Sequence, residues 1–363
     1  MDSFAFIIHP IEPKRDVSRK YPLLGKWLSE GQINFFSRFF PPVYLSEING
    51  ITSAATGKEI QGWLVACPFT PQRMMELPEK VVYRKIVQTG RMAERLGANI
   101  LGLGAFTSVV GDAGVTIANH LDIPVTNGDA YTVAVAVRAL EKAAQVMDIP
   151  MDTTSAAVVG ATGAIGQVCA ELLAHKTAEL YLIGKDQEML DPLAERLRAN
   201  PSSGMVHTST SMESLRKTQL ILTVTSALHA VIHPEHLIPG SVVCDVARPR
   251  DVSSKVAATR DDVLVIDGGM LEVPGPVDFH FDFGFPTGKA YACMVETMAL
   301  ALEGRFEDYS LGKHIDRTQV EQIDALADKH GFKLSGFRSF EREVSPRLIE
   351  RVRARAQPAP LYV

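Results

Sequence analysis

Hydrophobic positions along this chain follow two spacings. Short apolar runs bounded by turn residues read as strands, and longer stretches with apolar residues three and four apart read as helices. Phe4-Ala5-Phe6-Ile7-Ile8 predicts an opening strand, stopped at His9-Pro10, where the residue before proline is pushed away from continued helix. Val43-Tyr44-Leu45, Ile48 to Ile51 and Ile60 to Val65 predict further strands, with Ala55-Thr56-Gly57-Lys58 turning the chain between the last two. A helix near 80–96 leads to the run Asn99 to Leu103, which ends in Gly104-Ala105-Phe106-Thr107-Ser108. A helix over 113–120, a strand at Ile123 to Thr126 and a long helix from Ala130 to Met147 complete an α/β lobe, and Pro150 marks its end.

From Ala156 the pattern becomes strand, glycine turn, helix, strand, the order that builds a parallel sheet with crossover helices. Strands are expected at 156–160, 179–184, 204–208, 219–225, 241–246 and 263–267, and their continuous Val/Ile/Leu character suits burial on both faces. Beyond Gly288 the pattern predicts mainly helices, at 289–303 and 317–330 and then through a basic stretch, 333–355, with seven Lys/Arg against three Glu.

Composition narrows the classes. A length of 363 residues suits two lobes, and 46% hydrophobic with 22% charged residues excludes general disorder. The net charge of -5 excludes a surface that tracks nucleic acid throughout, so any anionic partner must meet a local patch. Cys67, Cys169, Cys244 and Cys293 lack metal-ligand spacing, so no metal site is expected and reduced cytoplasmic thiols fit. The start MDSFAFIIHP fails as a signal peptide, and no run approaches the ~18 apolar residues of a membrane span.

The sharpest motif is Gly160-Ala161-Thr162-Gly163-Ala164-Ile165-Gly166, set between a predicted strand and a predicted helix. Side-chain-free positions there let backbone amides and a positive helix end approach a pyrophosphate, so Gly160, Thr162, Gly163, Ala164, Ile165 and Gly166 are the expected cofactor turn. Lys185 stands first after the second strand, where a cation suits the 2′-phosphate of NADPH; Asp186 beside it keeps NADH open. Val224 and Thr225, after the fourth strand, should border the nicotinamide half. The expected architecture is therefore an N-terminal α/β substrate lobe (1–150), a Rossmann-like parallel-sheet lobe binding NADPH (151–288) and a C-terminal helical segment (289–363).

Three of the cysteines read as small core residues. Cys293, in Lys289-Ala290-Tyr291-Ala292-Cys293-Met294-Val295-Glu296, sits near a helix start, where the positive helix end and Lys289 should favour thiolate. Physics alone leaves catalysis and packing evenly open at that thiol. The set Arg15-Asp16-Val17-Ser18-Arg19, Gly104-Ala105-Phe106-Thr107-Ser108, the glycine turn and Tyr291-Ala292-Cys293 resembles the long-chain fatty acyl-[acyl carrier protein] reductases of cyanobacterial type, from about residue 4 to His330-Gly331-Phe332. The resemblance implies NADPH-dependent reduction of a fatty acyl thioester, carried by acyl carrier protein or coenzyme A, to an aldehyde that a second enzyme can consume. It maps the family's nucleophile onto Cys293, and it departs where Tyr131 replaces an expected histidine and where the basic tail runs past the usual end.

The expected chemistry divides one hard step into two, with an acyl-enzyme thioester on Cys293. Phe106, Thr107, Ser108 and Tyr131 are the candidate acyl and oxyanion site, although turn formation explains the two hydroxyl residues equally well. His9 and Tyr131 are candidate proton sources. The aromatic tract holding Leu23, Trp27, Phe35, Phe36 and Phe39 reads first as core, with carrier docking or peripheral membrane contact as alternatives. Two rival functions stay open: a dehydrogenase of shikimate or methylene-pterin type that ignores Cys293, and a non-catalytic NADPH sensor.

Overall fold

The computed structural model describes residues 1–356 and divides into two compact units. The first combines Met1–Thr132 with Leu271–Ser335, and the second combines Val133–Met270 with the chain from Gly336. The units thus interleave along the chain, whereas the pattern suggested consecutive segments 1–150, 151–288 and 289–363; residues 357–363 of the last lie outside the described residues.

In the first unit the chain runs β1 (Ser3–Ile8), α1 (Pro13–Lys20), α2 (Pro22–Trp27), α3 (Glu30–Ser37), β2 (Val43–Thr52), β3 (Glu59–Ala66), α4 (Pro71–Glu76), α5 (Glu79–Leu96), β4 (Leu101–Leu103), α6 (Phe106–Val109), α7 (Val115–Ala118) and β5 (Val125–Thr126). The sheet order is β2-β3-β1-β4-β5. β2 is antiparallel to β3 and the remaining pairs are parallel. β1 is central, and Phe4, Ala5 and Ile7 are fully buried, as a strand covered on both faces requires. The two runs around 43–51 form one strand, bent by irregularities between Tyr44 and Ser46 and between Ile48 and Ile51. α8 (Asp129–Val146) starts in the first unit and continues into the second.

The second unit contains β6 (Ser155–Val159), α9 (Ala164–Ala174), β7 (Glu179–Ile183), α10 (Gln187–Arg198), β8 (Met205–Ser209), β9 (Leu220–Thr223), β10 (Val242–Asp245), α11 (Ser254–Thr259) and β11 (Leu264–Asp267). All five strand pairings are parallel, in the order β11-β10-β9-β6-β7-β8. Counted from β6, this is the doubly wound order whose switch point lies between its first and fourth strands. The expected α/β class and Rossmann-like parallel sheet are present.

The chain then forms β12 (Met270–Glu272), β13 (Lys289–Tyr291), α12 (Ala292–Glu303), α13 (Arg317–His330) and β14 (Lys333–Leu334). α12 is buried along nearly its whole length, which explains its apolar run. The stretch 333–355 is corrected from its expected helical form: β14 pairs with β12, and β15 (Arg338–Ser339) pairs with β16 (Arg342–Glu343) before α14 (Pro346–Ala356) begins. Pairing of Leu334 with Leu271 overrides the local helical pattern there.

Candidate active site

The first unit gathers its candidate residues at the carboxyl ends of parallel strands, where open α/β sheets place their ligands. His9 follows β1, Gly104 to Ser108 follow β4, and Asn127 to Tyr131 follow β5. Cys293 stands in the first turn of α12, which packs on β1 and β4. Gly128 packs directly against it. A Cβ built on Gly128 would lie 2.3 Å from the Cys293 Cβ.

The charges around Cys293 reverse the expectation. Burial, then the Asp129 carboxyl, push the thiol up to about 12, and Glu296 adds to the rise. The backbone amides of Met294 and Cys293 pull the other way, as the helix-end argument required, but they are outweighed. The charges that act most on the thiol are Asp129 and then Glu296, both raising it. Asp129 is itself raised well above the carboxylate range, by burial and by Glu296.

Glu296, one turn along α12, is fully buried and raised by burial. Its carboxyl accepts hydrogen bonds from the Thr126 hydroxyl and from the Tyr131 amide, the latter at 2.8 Å. Gly128 N donates to Thr126 Oγ1 at 3.3 Å, and Ala130 N donates to Ser310 Oγ at 3.2 Å. Glu296 therefore fastens the 126–131 loop to the helix that carries the thiol. Asp129 and Glu296 escaped the sequence reading because their partners lie far away along the chain. The i, i+3 spacing of Cys293 and Glu296 on an otherwise apolar helix was the available signal.

The Gly104–Ser108 turn is built around His9. Phe106 N donates to His9 Nε2 at 3.0 Å, and burial lowers His9 to about 4, so the ring is a neutral acceptor at neutral pH. The same ring meets Phe106 edge-on, with centroids 6.4 Å apart. Ala105 holds φ 48°, a conformation L residues seldom adopt, between the strand end and α6. Thr107 Oγ1 donates to Gly104 O at 2.7 Å and Ser108 Oγ donates to Ala105 O at 2.6 Å. Both hydroxyl protons thus serve the turn. Tyr131 is fully buried in the first turn of α8.

The remaining cysteines are packing residues by their surroundings. Cys67, Cys169 and Cys244 are fully buried, and burial raises all three thiols, Cys67 to about 12. No group of His, Cys, Asp and Glu among the described residues could hold a metal ion.

The second unit brings the glycine turn and the Val224-Thr225 segment together. Gly160 has φ +83°, and a Cβ there would stand 2.6 Å from Val224 O and 3.2 Å from Thr225 Cγ2. A Cβ on Gly166 would reach Gly160 O at 2.1 Å. Gly163 is the N-cap of α9, with Ala164, Ile165 and Gly166 in its first turn, so their amides lack intrahelical acceptors. The geometry fits a pyrophosphate over the turn at the switch point between β6 and β9. Thr162 sits at the turn's crest, its carbonyl accepting from Gln167 Nε2 at 3.0 Å.

Lys185 is exposed after β7, while Asp186 caps α10 by accepting from Glu188 N at 2.9 Å. A buried carboxylate that the sequence reading passed over, Asp251, fixes the other side of the crevice. It accepts from Thr223 Oγ1 at 2.6 Å, from Thr225 N at 2.9 Å and from the Thr225 hydroxyl. Asp245, pushed up to about 6 by burial, accepts from Ala247 N and Val252 N, and Arg250 pairs with Asp267.

A family model described as Shikimate / quinate 5-dehydrogenase matches residues 141–268. Together with the doubly wound sheet and its glycine turn, the matches support a dehydrogenase or reductase as the class of this protein. The chain is 28% identical to the long-chain acyl-[acyl-carrier-protein] reductase of Synechococcus elongatus, over 89% of this chain and 95% of that one. It is 34% identical to the aminotransferase PigE of a Serratia species over 77% of its own length, but spans only 33% of that protein. Shikimate 5-dehydrogenase from Listeria monocytogenes aligns at TM-score 0.37 and 11% identity, over 90% of this chain and 96% of that one.

Proposed function

We propose that this protein reduces a long-chain fatty acyl thioester, delivered on acyl carrier protein or coenzyme A, to a fatty aldehyde with NADPH. The observation that carries the reading is Cys293, held in the first turn of α12 against Gly128 with Asp129 facing its thiol. The likeness to the Synechococcus reductase over 89% of the chain supports the substrate class.

Burial and the Asp129 carboxyl push the Cys293 thiol above its usual range, which disfavours a standing thiolate. Attack must be coupled to proton removal. Asp129 is the base in this scheme: burial and Glu296 raise it well above the carboxylate range, so it acts in its ionised fraction, taking the Cys293 proton while Sγ bonds to the acyl carbon. The carrier thiolate leaves, and the Asp129 proton returns to it. The first-turn amides of α12, already directed at Sγ, are the donors for the oxyanion. Glu296 positions both partners by fastening the 126–131 loop to α12.

Gly160, Gly163, Ala164, Ile165 and Gly166 would hold the pyrophosphate, Lys185 the 2′-phosphate, and Val224 with Thr225 would border the nicotinamide. When bound, the dinucleotide would supply the hydride that turns the thioester into aldehyde, and the Cys293 thiolate expelled in that step takes its proton from solvent. The test is aldehyde formation from hexadecanoyl carrier protein and NADPH. Wild type should form hexadecanal and Cys293→Ala should not; equal turnover by both sinks the reading. The match over 141–268 favours, as a second reading, an NADP-dependent dehydrogenase that works without Cys293.

A further inference from the structure

Helices α1 to α3 expose an apolar face that neither site uses. Leu23, Trp27, Phe35 and Phe39 are 71%, 79%, 54% and 66% exposed. Large apolar side chains scattered singly on a surface are ordinary, but these are grouped. Leu23 and Trp27 lie one turn apart on α2. Phe35 stacks edge-on with Phe36, centroids 5.3 Å apart, and lies 6.1 Å from Phe39. The expectation that this tract is core is met only in part, because Ile33, Asn34 and Ser37 take the buried positions of α3.

The same segment is basic. Residues 13–40 contain six Lys/Arg against two Asp/Glu in a chain of net charge -5. Arg15 and Arg19 pair with Glu12 and Asp16 and Lys20 donates to Leu45 O, while Lys26 and Arg38 flank the exposed rings. Arg38 covers the Phe39 ring at 5.3 Å, and Lys26 lies beside Trp27. The polarity continues past Phe40, where Pro41 and Pro42 line a cavity with Arg91 and Arg95 of α5. None of the exposed rings lines that cavity. In α14, Arg353 pairs with Asp148 and Arg355 with Asp261, both inside the second unit.

We propose that α1 to α3 form a docking surface for an anionic lipid membrane, with Trp27, Phe35 and Phe39 at the headgroup boundary. Amphipathic aromatic rings settle at that boundary, and Lys/Arg around them meet anionic headgroups. Charge complementarity selects this occupant over a second copy of the chain, which would set two basic patches against each other. Contact is peripheral, since no helix of the described residues is long and apolar enough to cross a membrane. The inference does not depend on the Cys293 chemistry.

Trp27 supplies the probe, because Trp63 is the only other tryptophan and can be changed to Phe. The full chain is mixed with vesicles of phosphatidylcholine alone or in an equal mixture with phosphatidylglycerol, without substrate or NADPH. Trp27 emission should shift to the blue and the protein should sediment only with the anionic vesicles. High salt should weaken binding about tenfold or more. Trp27→Ser with Phe39→Ser, and separately Lys26→Glu with Arg38→Glu, should each lower binding about tenfold with unchanged thermal unfolding. Cys293→Ala should bind like wild type. Absence of binding to anionic vesicles, or binding that both paired substitutions leave unchanged, overturns the proposal. It is equally overturned if vesicles do not bind and the same substitutions instead disperse a dimer or abolish a carrier-protein complex.

Discussion

Gly128 and Cys293 are in backbone contact: a Cβ on Gly128 would stand 2.3 Å from the Cys293 Cβ and 2.4 Å from its Cα, at φ +79°. No flexible side-chain end is available to yield, and the left-handed φ adds strain to any substitution. Gly128→Ala should displace the thiol from the 126–131 loop and lower turnover at least a hundredfold, in line with the cost of a 1 Å misplacement. Steady-state kinetics beside NADPH binding will check this, because binding in the second unit should be untouched.

The Asp129 and Cys293 pair gives two effects of opposite sign. The Asp129 carboxylate raises the thiol, so Asp129→Asn should move the pH midpoint of Cys293 alkylation downward. The same change removes the base and should cut acylation by 10²–10⁴, about the range for general base catalysis. A midpoint that stays in place or rises contradicts the assigned contact.

Glu296 should separate charge from hydrogen bonding. Glu296→Gln keeps an acceptor for the Thr126 hydroxyl or the Tyr131 amide, whereas Glu296→Ala leaves both buried donors without one. The alanine variant should lose about 2–4 kcal/mol of stability and the glutamine variant clearly less. Thermal or denaturant unfolding of the two variants decides the point.

His9 makes stability depend on pH. Its folded value, about 4, lies below the usual 6.5, so the unfolded chain binds the proton first as pH falls. Stability from this group is full above pH 6.5 and is lost as pH drops toward 4, by about 3 kcal/mol at the lower limit. His9→Gln should unfold with a shallower pH dependence over that window. An unchanged slope would place the titration elsewhere.

Lys185 tests the choice of dinucleotide. With Asp186 engaged in capping α10, the exposed Lys185 is the free group after β7. Lys185→Glu should weaken NADPH about tenfold or more and leave NADH nearly unchanged. Equal NADPH affinity in the variant removes the 2′-phosphate assignment.

The second unit was the more legible part of the chain. Buried parallel strands read as unbroken Val/Ile/Leu runs, and Gly160, Gly163 and Gly166 mark a local turn, so neither needed distant information. The short strands near Lys333 and Arg338 were missed because pairing with Leu271 or within a hairpin outweighs their weak local preference. At the site, a position on a helix start was readable for Cys293. The electrostatics were not, because Asp129 reaches the thiol only once β5 and α12 are assembled. The left-handed φ of Gly128 was hidden in an Asn-Gly-Asp stretch that looks like any turn.

Whether Cys293 carries the acyl group is read directly by intact-mass spectrometry. The protein is mixed with hexadecanoyl carrier protein or hexadecanoyl-CoA, first without and then with NADPH, for wild type and Cys293→Ala. Wild type alone should gain one hexadecanoyl group, removed by NADPH as hexadecanal appears. Aldehyde formation without any adduct, or an equal adduct on Cys293→Ala, would contradict that role for Cys293.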